Sequence, residues 1–107
     1  MGKSILMRVF RKLLTEEGIK NQKKIDILRN NNLNISLINL EAGQVIDPHP
    51  EPYAVFFFVI KGEINFLSDE ETHKLSEGSA FYYEPDEIRG MVPLSETFLL
   101  GIQIFSS

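Results

Sequence analysis

Residues 43–62 read GQVIDPHPEPYAVFFFVIKG, and the second half of that stretch decides the fold. Ala54 to Ile60 is an unbroken run of seven apolar residues dominated by Phe and Val, types that fit a pleated, packed strand. Seven residues make a strand of ordinary length and fall far short of the roughly 20 needed to cross a bilayer as a helix. Because side chains alternate along a strand, one face carries Tyr53, Val55, Phe57 and Val59 and the other Ala54, Phe56, Phe58 and Ile60. Extending the first row backwards by twos reaches Glu51 and His49, so the run places two polar groups at the end of an apolar row.

Working outward, the same rhythm recurs. Leu33 to Leu40 alternates up to Glu41-Ala42-Gly43, and short strand-like runs follow at Val45-Ile46, Glu63 to Leu67, Ala80 to Tyr83 and Phe98 to Phe105. Between them lie turn clusters: Asp47-Pro48-His49-Pro50, Lys61-Gly62, Ser68 to Glu71, Ser76-Glu77-Gly78, Glu84-Pro85-Asp86 and Pro93 to Glu96. Regularly spaced short strands with such punctuation predict an all-β sandwich or barrel over residues 33–105. Upstream the period changes. Ile5, Leu6, Val9, Phe10, Leu13 and Leu14 recur at helical spacing, which predicts an amphipathic helix over residues 4–16 stopped by Gly18. Asn30-Asn31-Asn32 reads as a turn. The expected organisation is an N-terminal helical or mixed arm over residues 1–32, then a β domain over residues 33–107.

Length and composition exclude several classes of function. The chain has 107 residues, 43% of them hydrophobic, which suits one folded domain and is too apolar for a disordered chain. Eleven Lys and Arg against 15 Asp and Glu leave a net charge of −4, so no basic footprint for a nucleic-acid backbone exists. Without cysteine there is no disulfide framework, no thiolate metal site and no Cys nucleophile. No membrane helix or signal sequence is apparent, and a cytoplasmic location is expected. Nothing forms a Ser-His-Asp set, a phosphate loop or an HExxH helix.

Two stretches resemble the cupin superfamily of small jelly-roll barrels. That family's first motif is Gly, five residues, His, one residue, His, three or four residues, Glu, six residues, Gly. Here Gly43 is followed at the right spacing by His49, Glu51, Val55 and Gly62. The second family motif is Gly, five residues, Pro, one residue, Gly, two residues, His. Residues 78–90, GSAFYYEPDEIRG, offer Gly78 and Pro85 with one extra residue between them, Glu87 at the second glycine, and Arg89 or Gly90 at the His position. The resemblance implies a cupin-type jelly-roll β-barrel. It also marks four metal-ligand positions, of which His49 matches the first and Glu51 is a competent substitute at the second. Val55 at the third and Arg89 or Gly90 at the fourth cannot ligate.

With two of four ligands left, the expected function is binding of a small molecule in the barrel lumen without a tightly bound metal. His49, Glu51, Tyr53, Phe57 and Arg89 are the candidate ligand-binding residues, Arg89 supplying a fork suited to a carboxylate or phosphate. The alternative is a metal-dependent cupin enzyme of dioxygenase or isomerase type, holding a divalent cation with His49, Glu51 and a non-motif carboxylate such as Glu84 or Glu87. A third reading is a metal-free isomerase or lyase with His49 and Tyr53 as acid and base. His73, in a polar hairpin beside Glu71 and Lys74, is expected to face solvent. Finally, the outward row Phe56, Phe58 and Ile60 needs a cover, which predicts a homodimer with the helix of residues 4–16 as the competing cover.

Overall fold

The computed structural model describes residues 23–105, and among these it contains strands and turns but no helix. The strands are β1 (Lys24–Arg29), β2 (Leu33–Leu40), β3 (Ile46–Pro50), β4 (Ala54–Lys61), β5 (Glu63–Ser68), β6 (Glu71–Ser76), β7 (Ala80–Tyr83), β8 (Ile88–Pro93) and β9 (Thr97–Ile104). One sheet runs in the order β1-β2-β9-β4-β7 and the other β3-β8-β5-β6, with every pair antiparallel. Apart from the β1–β2 and β5–β6 hairpins, successive strands cross between two facing sheets, the jelly-roll way of limiting open edges. The helix expected over residues 4–16 lies outside the described residues.

Strand alternation sets what fills the space between the sheets. Val55, Phe57 and Val59 are buried together with Leu40, Ile64, Phe66, Tyr83 and Leu99 in one cluster. In β2 the inward row runs Asn34, Ser36, Ile38, Leu40, and register places it beside Gln103, Gly101, Leu99 and Thr97 of β9. The interior is therefore apolar towards Leu40 and Leu99 and polar towards Asn34 and Gln103. That gradient positions the site.

Four elements differ from the reading of the sequence. Residues 24–29, whose only apolar anchors are Ile25, Ile27 and Leu28, form β1, so the sheet begins ahead of Leu33; Ile25 and Ile27 pack on the outer cluster of Leu37 and Phe98. Residues 47–50, read as a turn, belong to β3. This strand is an edge paired only with β8, where Pro48 and Pro50 need no ladder donor on the open side. β6 and β8 escape notice for opposite reasons: β6 is a polar edge strand, and β8 contains Gly90 and Pro93, yet both pair in register with β5.

Turn chemistry matches local sequence. The Asn30 side-chain oxygen accepts hydrogen bonds from the Asn32 and Leu33 amides at 2.7 and 3.0 Å, an Asx turn that joins β1 to β2. Gly62, between β4 and β5, has φ of 97°, and a Cβ there would run into the Glu96 carbonyl and Thr97. On the outer face, Ile60 packs against the Leu37 and Phe98 cluster, while Phe58 stays 36% exposed.

Candidate ligand-binding site

At the polar end of the interior the two sheets part to leave a cavity of about 170 Å³. Ile38, Ile46, Val55, Phe57 and Met91 line its apolar part, and Gly101 of β9 keeps the floor open beside Ile38 and Phe57, whose side chains a Cβ there would meet at 3.2 Å. Polar groups come from six strands and one loop: Lys24 on β1, Ser36 on β2, His49 on the edge strand β3, Tyr83 on β7, Arg89 on β8 and Gln103 on β9, with Tyr53 just ahead of β4.

Arg89 is placed by register. Its Cα pairs with His49 across β3 and β8, so both side chains leave the ladder towards the cavity. The ambiguity between Arg89 and Gly90 is thereby resolved in favour of Arg89 on the lumen face; a Cβ on Gly90 would instead press on Ile46 and Pro48 of β3 at 3.0 to 3.1 Å. The Arg89 guanidinium lies over the rings of both Tyr53 and Tyr83, 5.4 Å from each ring centre, a cation on two aromatic faces. Its Nη2 donates to the Glu84 carbonyl at 2.8 Å and its Nε to that of Glu87 at 3.3 Å.

Both tyrosines are held by the fold. The Tyr83 hydroxyl donates to the Leu67 carbonyl at 2.7 Å, with the Gly90 carbonyl 3.1 Å away, which ties β7 of one sheet to β5 and β8 of the other. Burial pushes its phenol up to about 12, and the nearby Glu87 charge adds to the rise while the carbonyl contact to Gly90 and the Arg89 charge oppose it. The Tyr53 phenol is also raised by burial, with Glu51 adding and Arg89 opposing. Gln103 donates to the Tyr53 hydroxyl at 3.1 Å and accepts from Asn34 at 3.1 Å. Ser36 donates to Asp26 at 2.8 Å, which holds that carboxyl below the usual carboxylate range.

Of the residues singled out from sequence, His49, Tyr53, Phe57 and Arg89 come together around the cavity. Glu51 does not line it. Its carboxylate sits 3.2 Å from His49 Nε2, while His49 Nδ1 is 2.8 Å from the Asp47 carbonyl. Sequence reasoning missed Lys24, Ser36, Tyr83 and Gln103; the signal was present for Ser36 and Gln103, polar residues at inward positions of otherwise apolar strands. His73 is a correction of another kind. It is only partly exposed, because on β6 it packs at 4.9 Å on the Phe81 ring, with Glu71 at 3.2 Å.

The cupin metal was tested against this donor set. His49 and Glu51 lie close enough to share an ion, but among the described residues no group of three His, Cys, Asp or Glu side chains converges. The third position is the buried, apolar Val55, and a guanidinium occupies the fourth corner. Glu87 is turned into its own loop, its carboxylate accepting from the Glu84 amide at 2.9 Å. These residues do not fit a catalytic metal, which takes three protein ligands and repels a neighbouring cation.

Two antiparallel sheets closed on a lumen, with a polar cleft at one end, define a jelly-roll protein of the cupin type. The chain belongs to the cupin-domain family, whose model matches residues 36–97, more than half its length. Among solved structures it is similar to a conserved protein of unknown function from Streptococcus pyogenes (18% identity, TM-score 0.74, covering 78% of this chain and 74% of that one). It is also similar to an RmlC-like cupin from Shewanella frigidimarina (19% identity, TM-score 0.74, 78% and 75% covered). A third likeness is to the salicylate 1,2-dioxygenase of Pseudoaminobacter salicylatoxidans (18% identity, TM-score 0.71), covering 76% of this chain but 26% of that enzyme. At these identities the likeness is one of fold. No curated protein sequence matches the chain.

Proposed function

We propose that this cupin-domain protein binds a small molecule in its lumen and does so without a tightly bound metal. The observation that carries the reading is the cavity of about 170 Å³, close in size to an engineered cavity of about 150 Å³ known to hold benzene. Its composition supports the reading, since apolar walls with a few convergent polar groups are what small-molecule sites have. His49 and Tyr53 both line it, but both His49 ring nitrogens are engaged, one with the Asp47 carbonyl and the other with Glu51, which favours binding over acid–base chemistry by that pair. Soaking crystals with a fragment library is expected to place density between Phe57 and Arg89, and elemental analysis of untagged protein purified without chelator should find no stoichiometric zinc, iron, nickel or manganese. About one metal per chain, abolished by His49→Ala, would replace this reading with the metal-dependent enzyme.

A second copy of the chain is the partner we propose for the outer face of the larger sheet. Phe58, Tyr82 and Ile104, 36%, 46% and 42% exposed, lie on neighbouring strands β4, β7 and β9, and pairing of Phe56 with Tyr82 and Ile102 makes the patch continuous. Light scattering at micromolar concentration is expected to give twice the chain mass, falling to one chain in Phe58→Glu. A single-chain mass for the unaltered protein would dismiss the dimer.

A further inference from the structure

The class of ligand follows from the charge balance of the lumen, an inference that rests on the cavity being a binding site. Arg89 is only 6% exposed. Two of its three nitrogens donate to neutral backbone carbonyls, but Nη1 is buried and has no hydrogen-bond partner. No carboxylate lies within ion-pair distance of it among the described residues. Glu51, the acidic group expected nearby, is spent on His49, and Asp26 on Ser36, Lys24 and Arg29. The cavity lining therefore contains Lys24 and Arg89 and no Asp or Glu at all. A buried cation with an unpaired donor and no carboxylate in direct contact is costly to maintain, and a bound anion lowers that cost.

We propose that the lumen receives a small monocarboxylate, its carboxylate pairing with the buried Arg89 guanidinium that lines the cavity and its apolar body lying against Val55, Phe57 and Ile38. Size and polarity narrow the choice. About 170 Å³ matches a body of one six-membered ring or a short branched chain, and the apolar wall of Ile38, Val55 and Phe57 offers nothing to the hydroxyls of a sugar. Inorganic phosphate would fit by volume but would leave the apolar wall of Ile38, Val55 and Phe57 without a partner. The guanidinium lies over the rings of both Tyr53 and Tyr83, and its planar fork of N–H donors is the group that matches a carboxylate best. Lys24 also lines the cavity but is half exposed and paired with Asp26 at 3.9 Å, so Arg89 is the cation that a ligand would compensate.

The test is a titration of the full chain, followed by amide chemical shifts and calorimetry, with matched probes: benzoate against benzamide, 3-methylbutanoate against 3-methylbutanamide, and inorganic phosphate. The expected result is that each acid shifts resonances around Tyr53, Arg89 and Gly101 and binds roughly tenfold or more tightly than its amide, as a charge-assisted hydrogen bond predicts. Arg89→Met should abolish that preference, and Arg89→Lys should keep part of it. Because the acid and amide are compared on the unaltered protein, the test does not depend on the variants folding. If amides bind as well as acids, the lumen is a binding site but the carboxylate proposal falls. If phosphate binds more tightly than either acid, it falls in favour of an inorganic anion. If no probe moves a lumen resonance, this proposal and the binding reading beneath it fall together.

Discussion

Replacing Phe66 by Ala is expected to destabilise the fold by about 3–5 kcal/mol, the usual range for emptying a fully enclosed Phe site. Phe66 sits on β5 in the smaller sheet and has no exposed surface. Its ring stacks on Phe57 at 5.5 Å and 24° from one side, on Phe81 at 5.5 Å and 7° from another, and meets Tyr83 edge-on at 6.3 Å. All three partners belong to β4 and β7 of the larger sheet, so one side chain joins the layers. Truncation removes the contact and leaves a void beneath Phe57, part of the cavity wall. Urea denaturation should show a large fall in midpoint with little change in slope, whereas Leu94→Ala, at a 43% exposed position after β8, should cost about 1 kcal/mol or less. Equal losses in the two variants would contradict the packing described.

Tyr83 is expected to make the protein labile in alkali in a defined window. Its folded-state phenol titrates at about 12 against an ordinary 10.0, so the unfolded chain loses this proton first as pH rises. A raised pKa contributes stability that is complete below pH 10 and disappears as pH climbs through the folded value. The loss attributable to this residue is about 1.4 kcal/mol per pH unit, on the order of 2–3 kcal/mol by pH 12. Tyr83→Phe should be less stable than the parent near neutrality by about 1 kcal/mol, because the hydrogen bond to Leu67 that joins the sheets is gone. Between pH 10 and 12 the two stability curves should converge and cross. Parallel curves through that window would show that the phenol is not buried between the sheets.

How much of this was legible beforehand depends on the range over which each property is decided. Period-two alternation from Tyr53 to Ile60 is local, and it assigned Val55, Phe57 and Val59 to the interior before any partner strand was known. Turn chemistry is local too, which is why Asn30, Gly62 and the Glu84-Pro85-Asp86 loop could be placed; Asp86 adopts φ of 67°, a conformation Asp tolerates. The cupin motifs could be matched because their glycines and proline serve such turns. β3, β6 and β8 were harder to read because an edge strand can be polar or carry proline, and a strand interrupted by glycine is defined by its neighbours.

Of the cavity, sequence named His49, Tyr53, Phe57 and Arg89, and the rest belonged to the tertiary structure. Lys24, Ser36, Arg89 and Gln103 are spread over β1, β2, β8 and β9, and they meet only because strand register brings them to one end of the sandwich. Sequence alone supplied His49 and Glu51 as neighbours two residues apart, with the loss of the remaining metal ligands already visible at Val55. It could not say that Glu51 would turn to His49 and leave the Arg89 charge without a counter-ion. That outcome depends on which side chains converge within a few ångströms, a distance set by the packing of two sheets rather than by spacing along the chain.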